Sequence, residues 1–395
     1  MMQTTADVVV IGGGVIGCST AYHLARMGTK EVVVVEMGEV GSGSSGKSAS
    51  MLSLQFCHDE LSIRMAKYSY AKYMQFEEEM GVPIDFKKIG WLSLATMESA
   101  ESLHKKAKLL QSLDVQTEIL EPDEIKRRYP EIHTQDLALG TWGPDDGPFD
   151  PHMIMWGYIK RASEMGARLC QGVHAKGIEV QHGQVEGVYT DKGFISTKVV
   201  VNAGGPWATE LGSWMGVEIP IIHLARSIWV TKPFPDIPSR SPFVEDVTAE
   251  WYYRPEGVGI LIGMGTVPTD RLDIQLSQTL MSEMIDVAIH RVPVLEKASV
   301  STSWTGIRPV TLDDHPILGP VPFIKGFFLN CGWGGTGIIQ APIAGQLIAE
   351  YINHGQTETE TMDISSFGIE RFQGKSAKEV RGLWERSYVT TIKDS

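Results

Sequence analysis

Residues 8–36 constrain this chain more than any other stretch. Val8-Val9-Val10-Ile11 is an apolar run, Gly12-Gly13-Gly14-Val15-Ile16-Gly17 follows it, 21–27 is helix-like, and Val32-Val33-Val34-Val35 ends at Glu36. That order reads as strand, tight turn, helix, strand and acidic tip. Gly12 permits the sharp turn, Gly14 lets the backbone approach a pyrophosphate, and Gly17 lets the helix pack on the strand. The phosphates then sit on free N–H groups at the helix N-terminus. A carboxylate about twenty residues beyond the glycines accepts both ribose hydroxyls and repels a 2′-phosphate. The chain is therefore expected to bind FAD or NAD, and not NADP.

With 395 residues it has room for two or more domains with sizeable cores. The formal charge of -13 argues against nucleic acid or an anionic membrane as partner, because a phosphate-binding surface needs clustered Lys and Arg. Cys18, Cys57, Cys170 and Cys331 are scattered, with no paired spacing suited to zinc or an iron–sulfur cluster. They are read as buried, reduced thiols of a cytoplasmic protein, and no metal is expected. The N-terminus passes almost directly into a strand, with no basic region or cleavage site of a secretory signal. No uninterrupted apolar run is long enough to span a bilayer.

Further along, 41–50 is rich in Gly and Ser, with Lys47 inside it. Following directly on the second strand, it is read as a second phosphate-facing loop and not as a linker, since small residues free N–H groups for an anion. The spacing of Leu61, Met65, Tyr68, Tyr73 and Phe76 predicts a helix over 60–81 with these side chains in the core. A strand at 90–94, a helix over 99–113, a turn-dense boundary at 143–151 and a helix over 153–165 follow. At 198–207 a buried strand again enters a glycine turn, Ala203-Gly204-Gly205-Pro206-Trp207. Strand patterns at 219–231, 251–254 and 258–264 suggest an antiparallel sheet, and 304–352 carries Gly332-Trp333-Gly334-Gly335-Thr336-Gly337 ahead of a long helix. Nucleotide-domain signals thus flank sheet-rich segments. The expected fold class is α/β, a Rossmann-like FAD-binding domain (1–82, 149–218, 301–372) interleaved with an α+β substrate domain on an antiparallel sheet (83–148, 219–300). A tail covers 373–395.

Four blocks carry a resemblance: 8–36, the 42–50 loop, 199–207, and Trp304-Thr305-Gly306-Ile307-Arg308-Pro309 with Asp313-Asp314-His315-Pro316-Ile317-Leu318-Gly319. In this order they resemble the D-amino-acid-oxidase-like family of FAD-dependent amine oxidoreductases. The resemblance extends over 6–372 and closes on Ser366-Phe367 and Arg371-Phe372. Residues 327–334 are similar to the β subunit of heterotetrameric sarcosine oxidases. The resemblance implies FAD across the nucleotide domain, with a small amine above its ring against the second domain. Hydride leaves the carbon beside nitrogen, and water hydrolyses the imine. It places Gly12, Gly14, Val15, Ile16, Gly17, Glu36, Ser44, Ser45, Lys47, Ser48, Val173, Ala203, Gly204, Trp207, Gly334, Gly335, Thr336 and Gly337 at the cofactor. N–H groups of 332–337 would face the flavin pyrimidine edge, where donors stabilise reduced flavin, and a helix beginning near Ile338 would add its dipole.

Arg308 is the leading catalytic-site candidate, since the Arg of this motif binds the substrate carboxylate in related enzymes, a task suited to a planar fork. The alternative is a structural ion pair with Asp313 or Asp314. The resemblance implies a substrate role for Tyr252 too, since related enzymes place a tyrosine before the Arg-Pro step whose hydroxyl would reach the same carboxylate, with core packing as the alternative. His223, Arg226 and His315 are weaker candidates. Three departures qualify the resemblance. No Cys lies in 304–312 and Lys47 replaces a flavin-linking His, so FAD is expected to be non-covalent. His152 is one residue out of register with an FMN-tethering His, so covalent FMN is not expected. Leu261 stands in place of an oxygen-activating Lys, which leaves oxidase versus dehydrogenase open. The expected substrate is a small amino acid, N-methyl or secondary (sarcosine, proline) ahead of glycine and D-amino acids, with electrons passed to O2 or a redox partner subunit in a possible hetero-oligomer. The alternatives are an electron-transferring subunit of a multi-subunit dehydrogenase, a non-catalytic flavin-binding assembly protein, or a nicotinamide-dependent dehydrogenase.

Overall fold

A computed structural model describes residues 4–274, 276–359 and 362–374. The valine runs become the middle of a six-stranded sheet, in the order Ile317–Pro320, Phe327–Cys331, Val200–Asn202, Val8–Ile11, Val32–Glu36 and Arg168–Gln171. Neighbours are parallel except the antiparallel edge strand Ile317–Pro320. Continuous apolar runs form here because the sheet is covered on both faces. Val8, Val10, Val32 and Val34 share a core with Leu24 of helix Val15–Arg26, Tyr158 of helix Pro151–Glu164 and Leu347 of helix Gly337–His354. Val9, Ile11, Val33 and Val35 face the opposite core, with Ile178, Val188 and Ile195 from a smaller four-stranded sheet.

The second large element is an eight-stranded sheet. Its order is Val300–Val310, Ile222–Thr231, Gly259–Thr269, Trp251–Glu256, Phe243–Asp246, Trp91–Thr96, Leu137–Gly143 and Glu118–Leu120. Every pairing is antiparallel except that of Phe243–Asp246 with Trp91–Thr96. Period-two alternation separates its faces. Leu92, Leu94, Val244, Trp251 and Tyr253 join a core with Met284 and Ala288 of helix Gln278–Arg291, while Trp91, Phe243, Glu245 and Tyr252 line a cavity. Val300–Val310 pairs along Ile222–Thr231, so residues expected with the nucleotide-binding segments form an edge of this sheet.

The expected helix over 60–81 is two helices, Glu60–Met74 and Phe76–Met80, with Gln75 between them. Asp59 and Ser62 form a capping box at its start. Met65, Tyr73 and Phe76 are buried, and Leu61 and Tyr68 pack partly against the same core. All four cysteines are free; Cys18, Cys57 and Cys331 are buried and Cys170 half-buried. No described helix is long and apolar enough to cross a membrane. Most of the expected tail, 375–395, lies outside the described residues.

Candidate active site

One cavity runs from the carboxyl ends of Val8–Ile11 and Val32–Glu36 to the inner face of the eight-stranded sheet. A ligand site at the carboxyl ends of parallel strands is the usual consequence of such a sheet. Gly12 has φ +115, and a Cβ on it would lie 2.3 Å from the Ala203 carbonyl oxygen, so the turn requires glycine. Gly17, which is not in the cavity wall, would press a Cβ onto the Gly12 carbonyl oxygen, which is how helix and strand approach so closely. Gly14 differs. Its φ is -75, ordinary for any residue, and a Cβ there would meet nothing closer than Ser45 Oγ at 3.3 Å. The space beside Gly14 belongs to the cavity.

Helix Val15–Arg26 begins at this point, with no acidic residue in its first turn. The first turn itself therefore places no carboxylate against the helix's positive end. Ser45 Oγ accepts from the Val15 N–H at 3.1 Å, which brings the 41–50 segment across the helix entrance. That segment is a series of turns held by Gly46 N–H to the Gly41 carbonyl at 3.0 Å. Ser44 donates to the Ile307 carbonyl at 2.5 Å, and Trp304 Nε1 donates to the Lys47 carbonyl at 3.1 Å. The segment thus bridges the nucleotide sheet and the edge of the large sheet. His152 packs against its Gly46.

Glu36 is buried, and its carboxylate accepts from the Gly13 N–H at 2.6 Å and the Gly38 N–H at 2.7 Å. Two backbone donors fix the charged group at the cavity wall while a carboxylate retains further acceptor capacity. Glu36→Gln puts an NH2 where acceptors are needed, so it is expected to weaken FAD by about 1 to 3 kcal/mol, the scale of a hydrogen bond to a charged group. Titration of the apoprotein with FAD, with far-UV circular dichroism as the control for folding, measures this; unchanged affinity removes Glu36 from the ribose site.

Val15, Ile16, Ser44, Ser45, Lys47, Ser48, Val173, Ala203, Gly204, Trp207, Gly334, Gly335 and Gly337 also line the cavity. Thr336 does not: its hydroxyl turns back to the Trp333 carbonyl at 3.0 Å, closing the turn ahead of helix Gly337–His354. Its expected place at the cofactor is thus left to the backbone around it.

On the sheet wall, Arg308 sits on Val300–Val310 with its guanidinium carbon 5.8 Å from the Phe56 ring centre. A Cβ at Gly335 would come within 3.3 Å of that carbon, so the glycine turn admits the arginine. Asp313 is held by Arg371 instead, at 2.8 and 3.1 Å. The carboxyl of Asp314 is pushed up by burial, against the opposing charges of His58, Arg308 and His315. Tyr252 lies flat across Gly263, where a Cβ would fall 2.2 Å from its hydroxyl oxygen. That hydroxyl makes no hydrogen bond to another described residue.

His223 and His315 lie outside the cavity wall. Burial pushes His223 down, whereas the Asp59 carboxylate 3.3 Å away raises His315. Arg226 does line it, 5.1 Å over the Tyr252 ring. Phe56, Trp91, Phe243 and Glu245 were not anticipated. The alternation Trp91-Leu92-Ser93-Leu94 marks two faces but not which one meets a ligand. Elsewhere, His133, Asp136 and His290 gather within metal-ligand reach, but Arg291 grips both oxygens of Asp136 at 2.8 and 2.9 Å.

The family described as DAO, FAD dependent oxidoreductase, matches residues 7–351. The chain is 30% identical over 410 residues to the mitochondrial sarcosine dehydrogenase of Mus musculus, covering 100% of this chain and 44% of that protein. It therefore spans less than half the length of that curated relative. It is 28% identical over 374 residues to the sarcosine oxidase subunit beta of Rhodobacter capsulatus, covering 93% of this chain and 88% of that one. Among solved structures, L-proline dehydrogenase from P. horikoshii superposes with a TM-score of 0.86 at 27% identity, over 94% of this chain and 99% of the other.

Proposed function

Because the chain belongs to the FAD-dependent oxidoreductase family matched over residues 7–351, we propose that it oxidises the C–N bond of a small amino acid, N-methyl or secondary amino acids foremost. The observation that carries this reading is the shared cavity. Arg308 and Tyr252 project from the sheet wall into the same space that Gly12, Gly14, Glu36 and the 41–50 segment line. The fit to FAD rests on the open space at Gly14, the helix N-terminus beside it with no acidic residue in its first turn, and the anchored carboxylate of Glu36. When bound, FAD supplies the two-electron acceptor. The chain's residues bind and orient. Arg308 offers a planar fork to a carboxylate, Tyr252 adds a hydroxyl, and the aromatic wall keeps water from the reacting carbon. Attachment is non-covalent in this reading, since Lys47 and residues 304–312 offer neither His nor Cys.

The likeness to a sarcosine oxidase subunit beta favours a second reading, in which the same chemistry runs in one subunit of a hetero-oligomer and electrons leave to partner chains. A non-catalytic flavoprotein would have no use for Arg308 and Tyr252 at one cavity. Anaerobic mixing of the purified yellow protein with sarcosine, L-proline, glycine and D-amino acids, followed by admission of air, tests the proposal. At least one amino acid is expected to bleach the flavin absorbance. Reoxidation within seconds marks an oxidase, and a persistently bleached flavin marks the electron-transferring reading. Absence of bleaching by every amino acid refutes the function, and flavin that stays with acid-precipitated protein refutes non-covalent binding.

A further inference from the structure

Glu245 is a carboxylate in the cavity wall. Among the described residues no Lys, Arg or His lies within ion-pair distance. Its sequence neighbour Asp246 is held by Arg291 at 2.8 Å, Asp136 by Arg291 and His290, and Asp313 by Arg371. Among the described residues, the side-chain hydrogen bond to Glu245 comes from the Ser93 hydroxyl at 3.2 Å, and that hydroxyl accepts from Trp91 Nε1 at 2.9 Å. Ser93 and Trp91 are 1% and 3% exposed. The indole proton therefore commits the hydroxyl proton to Glu245, and a buried two-step chain orients a carboxylate at the cavity surface.

The surroundings are aromatic. Trp91 stacks on Phe243 with ring centres 3.8 Å apart, Phe243 stacks on Tyr252 at 5.1 Å, and Tyr252 is the direct cross-strand partner of Glu245. Aromatic faces with a fixed carboxylate favour an organic cation. The wall is polarised as a whole. Arg308 and Arg226 stand on the adjacent strands Val300–Val310 and Ile222–Thr231, and Glu245 stands three strands beyond the latter. Arg226 is committed to the Thr266 hydroxyl and the Glu250 carbonyl, and Tyr252 leans over Gly263, away from Glu245. Neither occupies the carboxylate.

We propose that Glu245 anchors an ammonium group of the substrate, a role that rests on the amino-acid reading above. The shared chemistry is an alkylammonium; it belongs either to the reacting amine or to a second, side-chain amine. The test compares Glu245→Gln with wild type in the FAD-bound protein, following flavin absorbance anaerobically. Probes are sarcosine, L-proline and D-ornithine, together with butyrate and cyclopentanecarboxylate, in which a methylene replaces the amine of sarcosine or proline. Loss of a charge-assisted contact is expected to raise the half-saturating concentration of the amines ten- to a hundredfold. The two carboxylates should change less than twofold, and Glu245→Asp should recover part of the loss. A loss confined to D-ornithine assigns the anchored ammonium to the side chain. Equal weakening of amines and their carbon analogues, or no weakening of any amine, overturns the proposal. If no probe perturbs the wild-type flavin, the amino-acid reading falls first and this one with it.

Discussion

Gly14→Val is expected to give a folded protein that purifies without FAD. The backbone at Gly14 is extended, with φ -75, and nothing in the chain stands nearer to a new Cβ than Ser45 Oγ at 3.3 Å. A Cβ here therefore meets at most a rotatable hydroxyl, and the structural cost is expected to be the loss of a good N-cap, about 1 kcal/mol. The bulk enters the space where the helix N-terminus would meet the pyrophosphate. Displacing a diphosphate from several backbone donors costs more than about 3 kcal/mol, over a hundredfold in affinity. Gly12→Ala and Gly17→Ala provide the contrast. Both drive a Cβ into backbone oxygen of the chain itself, so they should lower the melting temperature of the apoprotein, whereas Gly14→Val should not. Flavin absorbance per mole of protein, read beside thermal unfolding of the apo forms, separates the two behaviours. Stoichiometric FAD in Gly14→Val places the phosphates elsewhere.

The three glycines show why this half of the molecule was legible. A strand covered on both faces must be apolar along its length, and a turn forced to positive φ must be glycine, so Val8–Ile11 and Gly12 announce themselves without knowledge of their neighbours. The wall of the large sheet is different. Trp91 and Phe243 are paired across strands yet lie 152 residues apart in sequence, and their alternation with Leu92 and Val244 shows two faces but not which one meets the cofactor. Glu245 went unnoticed for the same reason, one acid among 48 acidic residues until its register beside Tyr252 is known. Residues 301–310 were expected with the nucleotide-binding segments, but only the strands that follow them, Ile317–Pro320 and Phe327–Cys331, join the six-stranded sheet. The chain crosses from one sheet to the other within seven residues. Thr336 came with the resemblance, which gives its position in the glycine turn but not its side-chain partner: its hydroxyl already serves the turn's own carbonyl.

Arg308→Lys is expected to slow flavin reduction by amino-acid substrates by about 2 to 4 kcal/mol in kcat/KM, roughly thirty- to a thousandfold, while FAD content stays at the wild-type level. The two readings of this residue diverge under the substitution. If its task is to balance Asp314, whose ionised form its charge favours, a lysine preserves that attraction and the enzyme should be nearly unaffected. Asp313 does not enter, since Arg371 holds it through two hydrogen bonds. If its task is to seat a carboxylate, the planar fork and the stacking of the guanidinium near Phe56 matter, and an ammonium supplies neither. A misplaced carboxylate also misplaces the carbon that gives up hydride, so the penalty falls on the reduction rate as well as on binding. Amines without a carboxylate should be poor for the wild type and almost indifferent to the substitution. Stopped-flow reduction with both kinds of substrate decides the matter: an acid substrate that reduces Arg308→Lys as fast as wild type would take Arg308 out of the site.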